Sequence, residues 1–267
     1  MNIHQYISVD PSEKPLDHIV TDGGFCGIFR TIGCIGDSLS SGEFEAITPD
    51  GNRSYHDKFE YSWGQYIARD AGCTVYNFSR GGMTAIEYWQ SFARDRGFWD
   101  KNVLCQAYIV ALGVNDLLNQ NRDLGTIEDA RNEDPEYFAD NFAWYLGTII
   151  KKYRALQPEA RFFLMTMPRD TRDGPENDAK KQAHRELLYQ MAELFPYTYV
   201  IDLYQYAPVY DEDFRDKFFL HGHLNPAGYR LTAKMVESYI DYYIRHDFGA
   251  FRQTGFIGSP SYDYNLD

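Results

Sequence analysis

Short runs of apolar and β-branched residues alternate along the chain with longer stretches of helical periodicity. The apolar runs predict five strands, at residues 29–35, 74–78, 107–112, 161–166 and 197–203. The other stretches predict five helices, at residues 63–71, 84–94, 135–156, 177–194 and 226–245. Such alternation is typical of a parallel sheet with helices on both faces. The pattern therefore predicts an α/β fold with three layers, built on a doubly wound, five-stranded parallel sheet.

Prolines support several of these helix limits. Pro135 and Pro226 stand where the first turn of a helix tolerates a missing N–H, and Pro158 follows a helix that has already ended. No internal repeat, low-complexity tract or long linker divides the chain. We therefore expect a single domain over residues 1–267, with a core at about 29–246 and with N- and C-terminal extensions that lie across the surface.

The longer polar insertions follow the predicted strands, at residues 43–62, 119–134, 169–176 and 205–222. In open α/β sheets the ligand crevice lies outside the carboxyl ends of the strands, where these loops collect. A functional site is expected at that edge of the sheet.

Composition limits the partners that such a site could have. The 267 residues include 26 basic and 39 acidic side chains, a formal net charge of -13. This sign argues against nucleic acid, because phosphates bind through clustered lysine and arginine. The longest apolar stretch, residues 107–114, is too short to span a membrane. Composition does not predict an oligomeric state.

The first residues lack the basic and apolar regions of a secretory signal. We expect a cytoplasmic protein if this is the full chain, and a periplasmic or extracellular one if a signal peptide was removed. The compartment therefore stays open.

Three loops at the expected site carry residues that suit nucleophilic chemistry. Ser38 follows the first strand within Gly-Asp-Ser-Leu-Ser-Ser-Gly, where flanking glycines allow a sharp turn. Gly82 and Asn115 follow the next two strands and could offer an N–H and an amide to an oxyanion. Each segment could equally be a plain turn or a helix cap, which use the same residue types.

A fourth loop, His221-Gly222-His223, precedes the last helix. A neutral imidazole there could take a proton from a serine hydroxyl and return it to a leaving group. A His-x-His pair could instead bind zinc, but that would need further ligands, which no His-Glu-x-x-His motif or Cys/His cluster supplies. We expect no metal and no other cofactor.

Taken together, the four segments resemble the SGNH (GDSL) hydrolase superfamily of serine esterases, from about residue 31 to residue 240. The resemblance implies that Ser38 is the nucleophile and that its N–H, the Gly82 N–H and the Asn115 amide form the oxyanion hole. It implies that His223 is the catalytic histidine. It also implies a flavodoxin-like strand order and hydrolysis of acyl esters without a metal.

One position departs from the pattern of this superfamily. An aspartate usually stands three residues before the histidine and orients its ring, but this chain has Leu220 there. Three alternatives remain for the other ring nitrogen: a backbone carbonyl near Leu220, the carboxylate of Asp216 or Asp213, or a solvent-bridged Ser–His dyad.

The substrate is predicted from the residues around the site. His221 and Arg80 could contact substrate, although both could equally be surface residues. Six aromatic residues fall in the rim loops and could stack on sugar rings or simply pack on the sheet: Phe44, Tyr55, Phe59, Tyr61, Tyr206 and Tyr210. We therefore expect an esterase for small acyl groups, acetyl first, on a small-molecule or carbohydrate ester. The alternatives are a lipase or thioesterase, and a binding module that kept the fold without the chemistry.

Overall fold

A five-stranded parallel sheet forms the centre of the computed structural model, which describes residue 7 and residues 10–256. Its strands are β1 (Thr31–Gly36), β4 (Thr74–Ser79), β5 (Ala107–Ala111), β6 (Arg161–Met165) and β7 (Thr198–Ile201). Their order across the sheet is β4-β1-β5-β6-β7. This is the flavodoxin-like order, and it places the topological switch point between β1 and β5. The predicted fold class is confirmed, and the strand limits differ from the predicted ones by at most two residues.

Helices cover both faces of the sheet. The α-helices are α1 (Ser38–Ser41), α2 (Trp63–Ala71), α3 (Ala85–Glu87), α4 (Ala93–Asp95), α5 (Ile127–Arg131), α6 (Phe142–Leu156), α7 (Pro175–Leu194), α8 (Leu203–Tyr206), α9 (Glu212–Phe218), α10 (Pro226–His246) and α11 (Phe248–Phe251). Single π-helical segments occupy Tyr88–Phe92 and Val114–Asn119, and 3₁₀ turns occupy Gly24–Ile28, Phe59–Tyr61, Lys101–Val103 and Thr254–Phe256. The predicted helix at 84–94 is thus present as α3, a π-helical turn and α4.

Two apolar cores hold these layers together. Alternate residues of β5 point to opposite faces, so that Tyr108 packs in one core and Ile109 in the other. The first core joins the sheet to α6 and α7, while the second joins it to α2 and α10. The continuous apolar runs of the sequence follow from this arrangement, because a parallel strand that is covered on both faces has no polar side.

Within the described ranges, no helix combines the length and the apolar character that crossing a membrane requires.

The predicted helix start at residue 135 is wrong. Helix α6 begins at Phe142, and the side chain of Asn141 caps it by accepting a hydrogen bond from Trp144 N at 3.0 Å. The N–H of Phe142 donates a hydrogen bond to the carbonyl of Asp123 at 3.0 Å. The asparagine cap and this carbonyl together fix the start, and Pro135 lies in the preceding turn.

The polar insertion at 43–62 is not simply a loop. It contains an antiparallel hairpin of β2 (Glu43–Ile47) and β3 (Arg53–Asp57), in which Glu43 faces Asp57 and Glu45 faces Tyr55. A second, smaller hairpin pairs β8 (Phe219–Leu220) with β9 (His223–Leu224). Both lie at the carboxyl edge of the main sheet, where the four motif-bearing loops meet.

Candidate functional site

Ser38 is the first residue of α1, directly after β1 has ended. The side chain of Asp37 caps this short helix by accepting a hydrogen bond from Leu39 N at 3.1 Å. Ser38 itself is only partly buried. The sequence therefore folds locally so that the serine stands at the strand tip, with its helix fixed from beneath by an aspartate.

Asn115 and Gly82 lie at the same edge of the sheet. The Asn115 amide donates to the Met83 carbonyl at 3.1 Å and, over a longer 3.4 Å, to Asp37 Oδ2. Gly82 adopts φ +72°, a conformation in which a side chain would be strained. The Asn115 amide thus contacts Asp37, the residue before Ser38, and Met83, the residue after Gly82. The three loops therefore meet at this amide.

Two buried aspartates tie these loops together. Both carboxylate oxygens of Asp116 accept hydrogen bonds from Ala85 N, at 3.0 and 3.2 Å, and so connect the loop after β5 to the helix after β4. Burial raises the pKa of Asp116 to about 6 and that of Asp37 to about 7. Both aspartates are therefore costly to ionise in the folded chain.

These shifts predict how stability depends on pH. A carboxyl group whose pKa is higher in the folded chain than in the unfolded chain stabilises the fold at low pH and loses this contribution as pH rises through the folded pKa. Burial also raises the pKa of Glu237 to about 7. The stabilising contributions of Asp37, Asp116 and Glu237 are therefore all lost as pH rises from about 4 to about 7. His184, whose pKa burial lowers to about 4, acts in the opposite direction.

We therefore expect the melting temperature to fall between pH 5 and pH 8, because three groups outweigh one. Glu237 lies on α10, away from the candidate site, so Glu237→Gln should make this fall smaller. Differential scanning calorimetry of both proteins at several pH values checks the prediction. A melting temperature that rises over this range, or an equal fall in the variant, would contradict it.

His223 lies on β9, which packs against both α1 and β2. Its ring is flanked by two carboxylates of the hairpin: Nε2 lies 3.1 Å from Glu43 Oε1, and Nδ1 lies 3.7 Å from Glu45 Oε2. Burial raises the pKa of Glu43, with the positive charge of a protonated His223 opposing the shift. Among the described residues, no hydrogen bond joins Ser38 to His223, although their elements are in contact.

The structure does not bring the predicted orienting aspartates to this ring. Asp213 is exposed and pairs with Lys217 at 2.6 Å, and Asp216 is also exposed. Of the carboxylates that the structure describes, only those of Glu43 and Glu45 lie within 4 Å of His223. Nδ1 is buried and has no hydrogen-bond partner in this part of the chain, so the predicted backbone carbonyl does not hold it either.

The two predicted substrate contacts have different surroundings. His221 is exposed and adopts φ +59°, and it makes no ion pair within the described ranges. Arg80 pairs with Glu87, and its guanidinium lies 5.0 Å from the centre of the Phe92 ring. Arg80, in the turn after β4, is therefore held against the helical segment that follows it rather than directed freely toward the site.

Only part of the predicted aromatic rim is present. Tyr55 is 54% exposed, and its ring centre lies 5.8 Å from that of His223. Phe44 instead packs edge-to-face against Tyr229, and Tyr210 is buried against Phe214. These two side chains are not rim residues, because the apolar area that each buries holds a loop in place.

Sequence reasoning missed Glu43 and Glu45, which the hairpin brings to His223. A signal was present: the two glutamates are spaced by two residues, which places both on one face of a strand. Residues 43–47, Glu-Phe-Glu-Ala-Ile, begin with an alternation of charged and apolar side chains, which is the pattern of a half-buried strand. In the described part of the chain, no three or more His, Cys, Asp or Glu side chains are grouped to hold a metal ion.

Comparison with known proteins agrees with this fold. Residues 34–231 match the GDSL-like Lipase/Acylhydrolase family. A G-D-S-L lipolytic protein from Desulfitobacterium hafniense has a similar structure, with a TM-score of 0.52, 18% identity, and coverage of 79% of this chain and 99% of that one. A family two carbohydrate esterase from Clostridium thermocellum, solved with cellohexaose, gives a TM-score of 0.57 and 16% identity over 83% of this chain and 65% of that one. No curated protein matches the chain.

The flavodoxin-like fold and the loops at the carboxyl edge of its sheet define a hydrolase of the SGNH type. The family match covers well over half of the chain, so the protein belongs to the GDSL-like lipase/acylhydrolase family. It is a hydrolase of ester bonds.

Proposed function

We propose that this protein is a serine esterase that removes small acyl groups, acetyl first, from an acylated carbohydrate through an acyl-enzyme. The observation that carries the proposal is the position of Ser38. It stands at the tip of β1, its neighbour Asp37 contacts the Asn115 amide, and its helix packs against the strand of His223. A nucleophile, an amide donor and an imidazole are thus supplied by three loops at one edge of the sheet.

In the proposed mechanism, the Ser38 hydroxyl attacks the ester carbonyl while its proton moves to Nε2 of His223. As the bond from Ser38 Oγ to the carbonyl carbon forms, the carbonyl oxygen takes the π electron pair of the C=O bond and becomes an oxyanion, which accepts hydrogen bonds from Ser38 N–H, Gly82 N–H and the Asn115 amide. Collapse breaks the ester bond, and the imidazolium returns the proton to the alcohol. Water then cleaves the acyl-enzyme with the same base.

The proposed mechanism requires one local change. Glu43 Oε1 lies 3.1 Å from Nε2, the nitrogen that must face the Ser38 hydroxyl. Hydrogen bonds between catalytic groups are often absent before substrate binds and form only in the complex. The Glu43 side chain must therefore turn away from Nε2 before the serine can be activated.

A small apolar cavity, lined by Asp37, Leu39 and Ser40 on either side of Ser38 in sequence, supports a short acyl group. Its walls include Leu39, Leu112, Met165 and Met167, and its volume is about 50 Å³. A water-sized group needs roughly 10–15 Å³ by this measure, so the cavity has room for about three to five such groups. An acetyl group fits this space, whereas a long acyl chain does not.

The exposed ring of Tyr55 supports a carbohydrate substrate, because aromatic faces at a cleft favour stacking on sugar rings. The similarity to a carbohydrate esterase from Clostridium thermocellum is consistent with this choice.

We expect hydrolysis of p-nitrophenyl acetate to exceed that of the octanoate ester by at least about tenfold in kcat/KM, since each excluded methylene costs roughly 1 kcal/mol or more. Acetylated oligosaccharides should release acetate under the same conditions. Faster cleavage of the octanoate would contradict the short acyl group and favour a lipase or thioesterase. Activity on simple esters without release of acetate from any oligosaccharide would contradict the carbohydrate substrate.

Replacing Asn115 by alanine should lower kcat by about 10²- to 10³-fold, because one donor to the oxyanion is lost. KM should change little, since the bond forms mainly in the transition state. Steady-state kinetics and melting temperature, measured together, check the effect. Asn102→Ala is the matched control, because Asn102 is exposed in the 3₁₀ turn that precedes β5, at the opposite edge of the sheet. Equal kcat values for the two variants would remove Asn115 from the oxyanion hole.

A further inference from the structure

The loop that carries His223 does not itself supply an acid to orient the ring. Leu220 occupies the position of the usual aspartate, and it is paired with His223 across the β8–β9 hairpin. Its side chain is 42% exposed. The group that orients His223 must therefore come from another part of the fold, or be absent.

We infer that Glu45 is the positioning residue that holds His223 through Nδ1, taking the place of the missing aspartate. This inference rests on the proposed function, in which His223 is the base. Nδ1 is buried and has no hydrogen-bond partner among residues 10–256, and Glu45 Oε2, 3.7 Å away, belongs to a side chain that is 2% exposed. A buried N–H beside a buried carboxylate gains a charge-assisted hydrogen bond when the two approach by less than 1 Å.

The structure fixes the Glu45 carboxylate toward the histidine loop. Oε2 accepts a hydrogen bond from Gly222 N at 2.8 Å, and Oε1 pairs with Arg53 at 2.5 Å. A Cβ on Gly222 would lie 2.5 Å from Oε2, so only glycine allows this approach. Burial alone would raise the pKa of Glu45, but the Gly222 hydrogen bond and the charges of Arg53 and His223 bring it below its usual value. The carboxylate is therefore anionic at neutral pH.

Glu43 is the competing group, since it faces the other ring nitrogen from the same strand. If Glu43 oriented the ring, Nδ1 would have to face Ser38, yet Nδ1 is the nitrogen buried toward Glu45. A carboxylate at Nε2 favours the tautomer that keeps its proton on Nε2, and that tautomer cannot accept the proton of a serine. A carboxylate at Nδ1 favours the productive tautomer. Glu43 and Glu45 therefore favour opposite tautomers of the His223 ring.

During attack, the serine proton forms the new N–H bond at Nε2 and the ring becomes an imidazolium. Its positive charge is stabilised by the anionic Glu45 at Nδ1–H, which keeps its proton on nitrogen throughout. Glu45 touches neither substrate nor the reacting atoms.

The test compares Glu45→Gln with Glu43→Gln, which alter two carboxylates on one face of one strand. The ¹⁵N chemical shifts of the His223 ring, recorded at alkaline pH and assigned by their loss in His223→Gln, report the tautomer without requiring activity. We expect Glu45→Gln to move the ring toward the Nε2–H tautomer and to lower kcat on p-nitrophenyl acetate by about 10²- to 10³-fold, with KM little changed. The loss should stay below the roughly 10⁴-fold fall on replacing the aspartate of a serine protease triad. Glu43→Gln should keep the ring in the Nδ1–H tautomer and should not cause this fall in kcat.

The opposite pattern, with the tautomer change and the loss of kcat in Glu43→Gln, would overturn the inference, and so would an unchanged tautomer in both variants. Circular dichroism and melting temperature identify a variant that has not folded. If Glu45→Gln does not fold, Arg53→Gln is the substitute, because it removes the ion pair of the Glu45 carboxylate at an exposed side chain. Arg53→Gln should shift the tautomer in the same direction as Glu45→Gln. If the unaltered protein shows no hydrolysis that depends on Ser38, the proposed function fails, whereas the tautomer still tests Glu45.

Discussion

Ser38→Ala should lower the kcat for p-nitrophenyl acetate by roughly 10⁴- to 10⁶-fold, since the variant retains the oxyanion donors but has no nucleophile. A fluorophosphonate probe should label the unaltered protein at one site and should not label the variant. The loss should leave the fold intact, because the side chain of Ser38 is partly exposed and Asp37 still caps α1. Intact-protein mass spectrometry of the labelled chain measures the stoichiometry directly.

Ser91→Ala is the matched control, because this serine lies in the π-helical segment Tyr88–Phe92 and its hydroxyl bonds only to the Glu87 carbonyl. It should be labelled as fully as the unaltered protein. Equal hydrolysis by the Ser38→Ala variant and the unaltered protein, with no labelling of either, would favour the binding module.

Replacing His223 should have the next largest effect on kcat. His223→Gln should reduce kcat by about 10⁴-fold or more, because the serine would lose its base. The labelling rate at Ser38 should fall with it, since the probe reacts with an activated hydroxyl. Measuring both separates loss of the base from loss of substrate binding.

His221→Asn provides the control for this second variant. His221 is exposed and adopts φ +59°, a conformation that asparagine tolerates better than most residues. Activity within about threefold of the unaltered protein is expected. A loss as large as that of His223→Gln would mean that His221 takes part in the reaction, and the assignment of His223 as the only base would be wrong.

The main sheet could be predicted because its signals are local. Strands such as β5 are apolar throughout, and the glycines and serines after them mark the turns. The start of α6 was missed for a physical reason. Pro135 suits a first helical turn, but the decisive contacts come from the Asn141 cap and from the carbonyl of Asp123 in another loop. Periodicity along one segment carries no information about such a partner.

The residues of the candidate site also fall into those that local sequence motifs predict and those that depend on distant contacts. Ser38, Gly82 and Asn115 could be predicted because each lies in a short motif directly after a strand, and parallel strands end at one edge. The carboxylates at His223 could not, because Glu45 and Gly222 are 177 residues apart in the chain and meet only through the hairpin. Proximity in sequence directed the prediction to Asp213 and Asp216, whose side chains are exposed.

In the β2–β3 hairpin, the number of residues before β2 decides which face of the strand each side chain occupies. Glu43 and Glu45 share one face, and Phe44 on the other face packs against Tyr229. Inserting or deleting a single residue just after Gly42 would invert both faces at once, turning the acids toward the aromatic core and the phenyl ring toward the imidazole. Chains descended from this one are therefore constrained to keep the two acids an odd number of positions after the serine, which is five for Glu43 and seven for Glu45 in this chain.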